Sequence, residues 1–167
     1  MIRRLTVAVD AMGGDQAPSM VVRGLSLAHK RHPHVHFLLY GDEKLVAPLL
    51  RRRFKKAGEA ITLHHTPDRV ADTDKPSVAL RAGRGTSMRL AIDAVAEAKA
   101  AGVVSAGNTG ALMAMSKMVL KTLPGIDRPA IASIVPTIRG EAVMLDLGAN
   151  IQCDANNLVQ FAIMGDV

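Results

Sequence analysis

The sequence predicts an α/β fold: a layered α/β/α, Rossmann-like domain on a mostly parallel sheet, with one antiparallel hairpin. Three observations predict it. Short aliphatic runs alternate with helix-length segments four times, at LTVAVD, VHFLLY, AITLHH and Val103-Val104. Such alternation implies parallel neighbours joined by helical crossovers. Polar, glycine-bearing loops directly follow several of these runs, as they do where ligands collect beyond the carboxyl ends of parallel strands. Finally, two strand-like runs near the C-terminus, Ala130 to Val135 and Ala142 to Leu147, are separated only by PTIRGE. A parallel crossover needs about a dozen residues, so this pair is an antiparallel hairpin.

The elements follow in order. Leu5 to Asp10 reads as a buried strand, and AMGGDQA as a loop. Pro18 suits the first turn of a helix running to about Lys30. Val35 to Tyr40 is a second strand. Gly41-Asp42 opens a helix that runs through a basic block to Gly58, with Pro48 predicting a late start or a kink. Ala60 to His65 is a third strand, and TPDRVADTDK a polar loop. Pro76 starts a short helix, PSVALRA, interrupted by Gly83 and Gly85. An amphipathic helix spans Ser87 to Ala101, ended by Gly102. After Val103-Val104 a Met-rich helix runs from about Gly110 to Leu123, stopped by Pro124-Gly125; the last helix covers Ala155 to Met164.

Composition sets limits on function. A chain of 167 residues with 49% hydrophobic residues can bury a sizeable core, and disorder is excluded. Aromatics are only 2%, so that core is aliphatic, with nine Met as adaptable filler. A formal charge of +6 suits an acidic protein, a phosphate-bearing substrate, an anionic membrane or nucleic acid. The densest block, Arg51 to Lys56, is either a solvated helix end or a docking surface for an acidic partner. Few aromatics are available for stacking and no nucleic-acid motif is present, which argues against nucleic acid. One cysteine, Cys153, fits a reducing compartment and no disulfide framework. The six His show no metal-ligand spacing.

Three loops after strands concentrate the candidate chemistry: DAMGGD (Asp10 to Asp15), SAGNTG (Ser105 to Gly110) and LDLGAN (Leu145 to Asn150). Ser105, Asn108 and Thr109 can cap the helix that follows, while Gly107 and Gly110 admit close approach of a ligand to the backbone. Free amides at a helix N-terminus make a seat for an anion, phosphate being the natural one. The alternative is a capped tight turn and nothing more. Gly13, Gly14 and Asp15, with Asp146 and Asn150, complete the phosphate-binding candidates. Asp10 either holds its own loop or serves the site. Lys75 and Arg81, in and after DKPS, are candidate electrostatic helpers, and with Asn108 form the catalytic candidates. GNTG is not GxGxxG, no GxxxxGK[ST] exists, and no GxSxG elbow exists. Dinucleotide, P-loop and hydrolase chemistries are therefore disfavoured. Cys153 has no His beside it in sequence and is not read as a nucleophile.

DAMGGD with a following Pro, DKPS with Arg81, Thr86 to Met88, VVSAGNTGALMA, Arg128-Pro129 and LDLGAN, in this order, resemble the bacterial phosphate acyltransferase (PlsX) family. The likeness runs from about Val7 to Val167. It implies transfer of a fatty acyl group from acyl carrier protein to inorganic phosphate, giving acyl phosphate for phospholipid synthesis. It also implies a fold like that of phosphotransacetylase and the isocitrate/isopropylmalate dehydrogenases, and no organic cofactor. A homodimer, cytoplasmic and peripheral at the inner face of the membrane, is part of the same implication. On this reading residues 1–167 are a single α/β domain forming the N-terminal half of a longer family fold. Two departures stand out. Gln152 occupies the place of an Asp common in the family, and RAGRGTS carries glycines where relatives carry charges, predicting a looser segment. The competing readings are a binding module that retains phosphate or carrier-protein affinity without turnover, and a phosphotransacetylase-like enzyme using acyl-CoA.

Overall fold

A computed structural model of the chain describes residues 4–54, 60–150 and 152–166. It divides into two compact units, Met1–Leu120 and Lys121–Val167.

The first unit is built on four parallel strands: β1 (Thr6–Asp10), β2 (His36–Gly41), β3 (Ile61–His65) and β4 (Gly102–Val104), in the order β3-β2-β1-β4. Val7 pairs with Phe37 on one side and with Gly102 on the other. Alternation along β1 sends Val7 and Val9 to one face and Ala8 to the opposite one. Val9 joins Val22 and Leu25 of α1 (Ser19–Arg31) and Val46 and Leu50 of α2 (Glu43–Arg53) in one core cluster. Ala8 meets Ala91 and Ala94 of α4 (Ser87–Ala96) in another. The sheet therefore lies between two helical layers, as the alternating pattern predicts. A third cluster joins α4 to α3 (Pro76–Ala82) and α5 (Thr109–Leu120) through Ala79, Met88, Ile92, Ala111 and Met115.

Several boundaries differ from the sequence expectation, each for a local reason. Helix α2 begins at Glu43 and runs through Pro48. Asp42 caps it by accepting the Lys44 amide at 2.9 Å, and burial of Val46 and Leu50 holds the helix across the missing proline N–H. Lys55 to Gly58, the predicted end of that helix, lie outside the described residues. Helix α4 stops at Ala96 rather than Ala101. Ala98 takes the left-handed conformation (φ 55°), and the amides of Ala98 and Lys99 bond back to the carbonyls of Val95 and Ala94. That is a Schellman cap with alanine in the usual glycine place, which frees Gly102 to begin β4. The RAGRGTS segment, predicted loose, is tied down. Gly83 to Gly85 form a 3₁₀ turn whose carbonyls accept Thr86 Oγ1 at 2.7 Å and Thr66 Oγ1 at 2.6 Å. Gly83 is buried, and a Cβ there would sit 2.5 Å from Met115 Cε.

The second unit holds the hairpin β5 (Ala132–Thr137) and β6 (Gly140–Leu145), antiparallel with Thr137 opposite Gly140, and the helix α6 (Ala155–Asp166). The hairpin is the one predicted, with a tighter turn at Ile138-Arg139 and Gly140 at φ 130°. Among the described residues no helix is long and apolar enough to cross a membrane.

Candidate functional site

From β1 the chain turns to β2 on one side, and after β3 it returns to β4 on the other. The loops leaving β1 and β4 thus part at the point where the strand order reverses, the expected location of a ligand crevice in such a sheet. Asp10, the last residue of β1, is only 2% exposed. Its Oδ1 accepts the Met12 amide at 3.0 Å, and its Oδ2 accepts the Ser105 hydroxyl at 2.7 Å. Ser105 Oγ in turn accepts the Gly107 amide at 3.1 Å. A buried carboxylate thus accepts a donor from each loop, one on each oxygen.

The glycines let these loops touch. A Cβ on Gly13 would lie 2.6 Å from Asp10 Oδ2, 2.7 Å from the Gly107 amide nitrogen and 2.8 Å from Ser105 Oγ. Gly14 adopts φ 98°, and a Cβ there would meet the Ala106 carbonyl at 3.0 Å. DAMGGD and SAGNTG are therefore brought together as a locked pair. Asp15 of the first loop is exposed, and its side chain has no hydrogen bond among the described residues.

Asn108 stands immediately before α5, and its side chain is fully engaged. Its Oδ1 accepts the Ala111 amide at 2.9 Å, as an N-cap. Its Nδ2 donates to the carbonyls of Asp72 at 3.0 Å and Asp74 at 2.9 Å, with Ala71 at the limit of reach. Asn108 thereby ties the polar loop before α3 to the start of α5. Gly110 is pressed against that loop's end: a Cβ there would come within 2.8 Å of Pro76 Cγ. The amides of Thr109 and Gly110, the first of α5, have no hydrogen-bond partner among the described residues, and both residues are exposed. They are orphan donors at the positive end of a 12-residue helix, which is what an oxyanion requires.

Lys75 lies between Asp74, whose carbonyl Asn108 holds, and Pro76, which Gly110 abuts. It is exposed and has no ion pair among the described residues. Arg81 is exposed at the far end of α3. Lys75 is the extended residue just before α3, and Arg81 stands six positions on in its last turn, so the structure does not bring the two together at one helix end.

Asp146 and Asn150 belong to the second unit. Burial works to raise the Asp146 carboxyl, but hydrogen bonds from Asn150, Ile131 and Ala149 outweigh it and hold the group below its ordinary value of 3.8. The Asn150 amide reaches Asp146 Oδ2 at 2.8 Å, and Asn150 Nδ2 spans from that oxygen to the Pro129 carbonyl at 3.0 Å. Arg128 donates to the Gln152 carbonyl at 3.0 Å, so Gln152 holds this clamp by its backbone, which any residue there would supply. A carboxyl depressed in the folded state contributes stability that is present above its unfolded value and is lost as pH falls through its folded value. Below about pH 4, amide-exchange protection at Ile131 and Asn150 is expected to fall in the wild type. In Asp146→Asn it is expected to be weaker at neutral pH and flat with acid; an equally acid-sensitive variant would exclude Asp146 as the titrating group.

Sequence reasoning missed the Asn108 tether. Its partners lie 34 to 37 residues earlier and accept through backbone carbonyls, which leave no side-chain signature. It also left Asp10 between two roles, although a strand-terminal Asp before Gly-Gly was the available signal. Among the described residues, no group of three or more His, Cys, Asp or Glu is placed to hold a metal ion.

A family model described as "Fatty acid synthesis protein" matches residues 5–167. Similar curated proteins are each named "Phosphate acyltransferase". That of Rhodospirillum centenum is 65% identical over 167 residues, covering 100% of this chain and 47% of the relative. That of Rhodospirillum rubrum is 58% identical over 172 residues (100% and 48%), and that of Paramagnetospirillum magneticum is 57% identical over 167 residues (100% and 47%). The chain spans about half the length of these relatives.

Proposed function

This chain belongs to the fatty acid synthesis protein family, and from that premise we propose that it serves the transfer of a fatty acyl group from acyl carrier protein to inorganic phosphate. The product is acyl phosphate, for phospholipid synthesis. The observation that carries this reading is the start of α5, where the Thr109 and Gly110 amides stand free beside two interlocked loops.

The chemistry asks little of side chains. A phosphate oxygen attacks the thioester carbonyl carbon, the carbonyl becomes an oxyanion, and the C–S bond then breaks. The departing thiolate, of pKa about 8.5 as a free thiol, takes up the proton that hydrogen phosphate gives up. Neither a covalent intermediate nor strong acid catalysis is needed. Holding the nucleophile and stabilising the oxyanion supply most of the acceleration. In this proposal the amides of Thr109 and Gly110 and the Thr109 hydroxyl form the seat, with Ser105 and Gly107 holding its loop in place. Asn108 shapes that seat as its cap, and Lys75, beside it, supplies positive charge. Gly13 and Gly14, which pack against Gly107 and Ala106, back the seat. A homodimer, peripheral at the inner face of the membrane, belongs to the same reading.

The test is formation of acyl phosphate by the 167-residue protein from acyl-acyl carrier protein and phosphate. Acyl-CoA as the better donor would favour the phosphotransacetylase-like alternative, and no product from either donor would reject the assignment. The carrier protein is acidic, and Lys30, Arg52 and Arg53 line a groove between α1 and α2. Arg52→Glu with Arg53→Glu is expected to raise KM for the carrier-protein substrate roughly tenfold while leaving KM for phosphate unchanged. An unchanged KM for the carrier-protein substrate would remove this groove as the docking surface.

A further inference from the structure

The cleft between α1 and β4 has no part in the account so far. It encloses about 340 Å³, within the range of small-ligand sites. Its walls are apolar, formed by Val7 and Val9 of β1, Leu25 and Ala28 of α1, Phe37 and Val104. Among the described residues that line it, the polar side chains are Asp10 and Ser105, the pair that locks the two loops. It is thus an apolar space with one polar end, and that end is shared with the candidate anion seat.

Two details point to an occupant. Gly24 lies in the middle of α1, where glycine weakens a helix relative to alanine. It has no packing reason among the described residues, since a Cβ there would have nothing within 4 Å. It does line the cleft, on the same helix face as Val21 and Ala28, and leaves the wall at bare backbone. Across from it Val104, a β-strand valine, is 56% exposed.

We propose that this cleft seats the fatty acyl chain, its carbonyl end toward Ser105. The inference rests on the acyl-transfer reading above and adds where the chain lies. A long apolar chain matches the apolar walls, and neither a nucleotide nor a sugar does; Asp10 and Ser105, whose hydrogen bonds go to each other, Met12 and Gly107, ask no partner of it.

Straight-chain fatty carboxylates from octanoate to palmitate, titrated into the 167-residue protein, test it. Affinity is expected to rise about fourfold per methylene until the cleft is filled. Gly24→Leu, a good helix former pointing into open space, is expected to flatten that dependence and weaken palmitate by roughly 30-fold. Val104→Asp, at a half-exposed position, is the second variant should the first fail to fold, and is expected to act the same way. A folded variant that keeps the wild-type chain-length dependence overturns the proposal, as does absence of carboxylate binding to the wild type because a polypeptide segment fills the cleft. The activity reading is separated by an acyl-phosphate assay on the same proteins. Turnover by the wild type with unaltered chain-length preference in Gly24→Leu rejects the cleft and leaves acyl transfer standing. Chain-length-dependent binding that Gly24→Leu abolishes, without turnover by the wild type, retains the cleft and rejects acyl transfer.

Discussion

Gly13→Ala is expected to lower acyl-phosphate formation by at least ~100-fold and stability by about 2 kcal/mol. The added methyl would arrive 2.7 Å from the Gly107 amide nitrogen, a backbone atom that cannot rotate away. Relief requires the β1 and β4 loops to separate. Separation breaks the Ser105–Asp10 hydrogen bond of 2.7 Å and leaves a buried carboxylate short of a donor. The seat at the start of α5 is then displaced by a fraction of an ångström to an ångström, enough to spoil the attack geometry. Gly102→Ala, in β4 itself, is the control, because a Cβ there has nothing within 4 Å. Equal activity in the two variants would show that contact between the loops is irrelevant to turnover.

Asn108→Asp is expected to be more damaging than Asn108→Ser, although aspartate is nearly isosteric with asparagine. Both replacements keep an oxygen able to cap α5 through the Ala111 amide. Both lose the donors that reach the carbonyls of Asp72 and Asp74. Aspartate alone then places a negative charge against those carbonyls and beside the free Thr109 and Gly110 amides. The serine variant is expected to lose roughly tenfold in kcat/KM through a loosened 71–74 loop. The aspartate variant is expected to lose at least ~100-fold, most of it as a raised KM for phosphate, since like charge is excluded from the seat. A KM for phosphate that is the same in both variants would refute an anion site at this helix end.

The element pattern of the first unit was legible in the sequence because each cue is local. Strand-length aliphatic runs, Pro18 and Pro76 at helix starts and the short PTIRGE link all act within a few residues. Helix ends were less legible. Ala98 adopts a left-handed conformation that its own sequence does not advertise, because the Schellman hydrogen bonds and burial of Ala94 and Ala100 secure it. The tight set of Gly83 likewise depends on Met115, which arrives from a helix more than thirty residues later.

The sequence by itself determined that this chain is a layered α/β protein and a member of its family, and that DAMGGD and SAGNTG are glycine-bearing loops that follow strands. Those properties reside in hydrophobic period, turn chemistry and residue identity. Tertiary structure alone decided that Gly13 faces Gly107, that Asp10 binds Ser105 across 95 positions, and that Asn108 is held by backbone carbonyls. Strand order and loop closure set such contacts, and backbone groups, being the same in every residue, cannot announce their partners in advance.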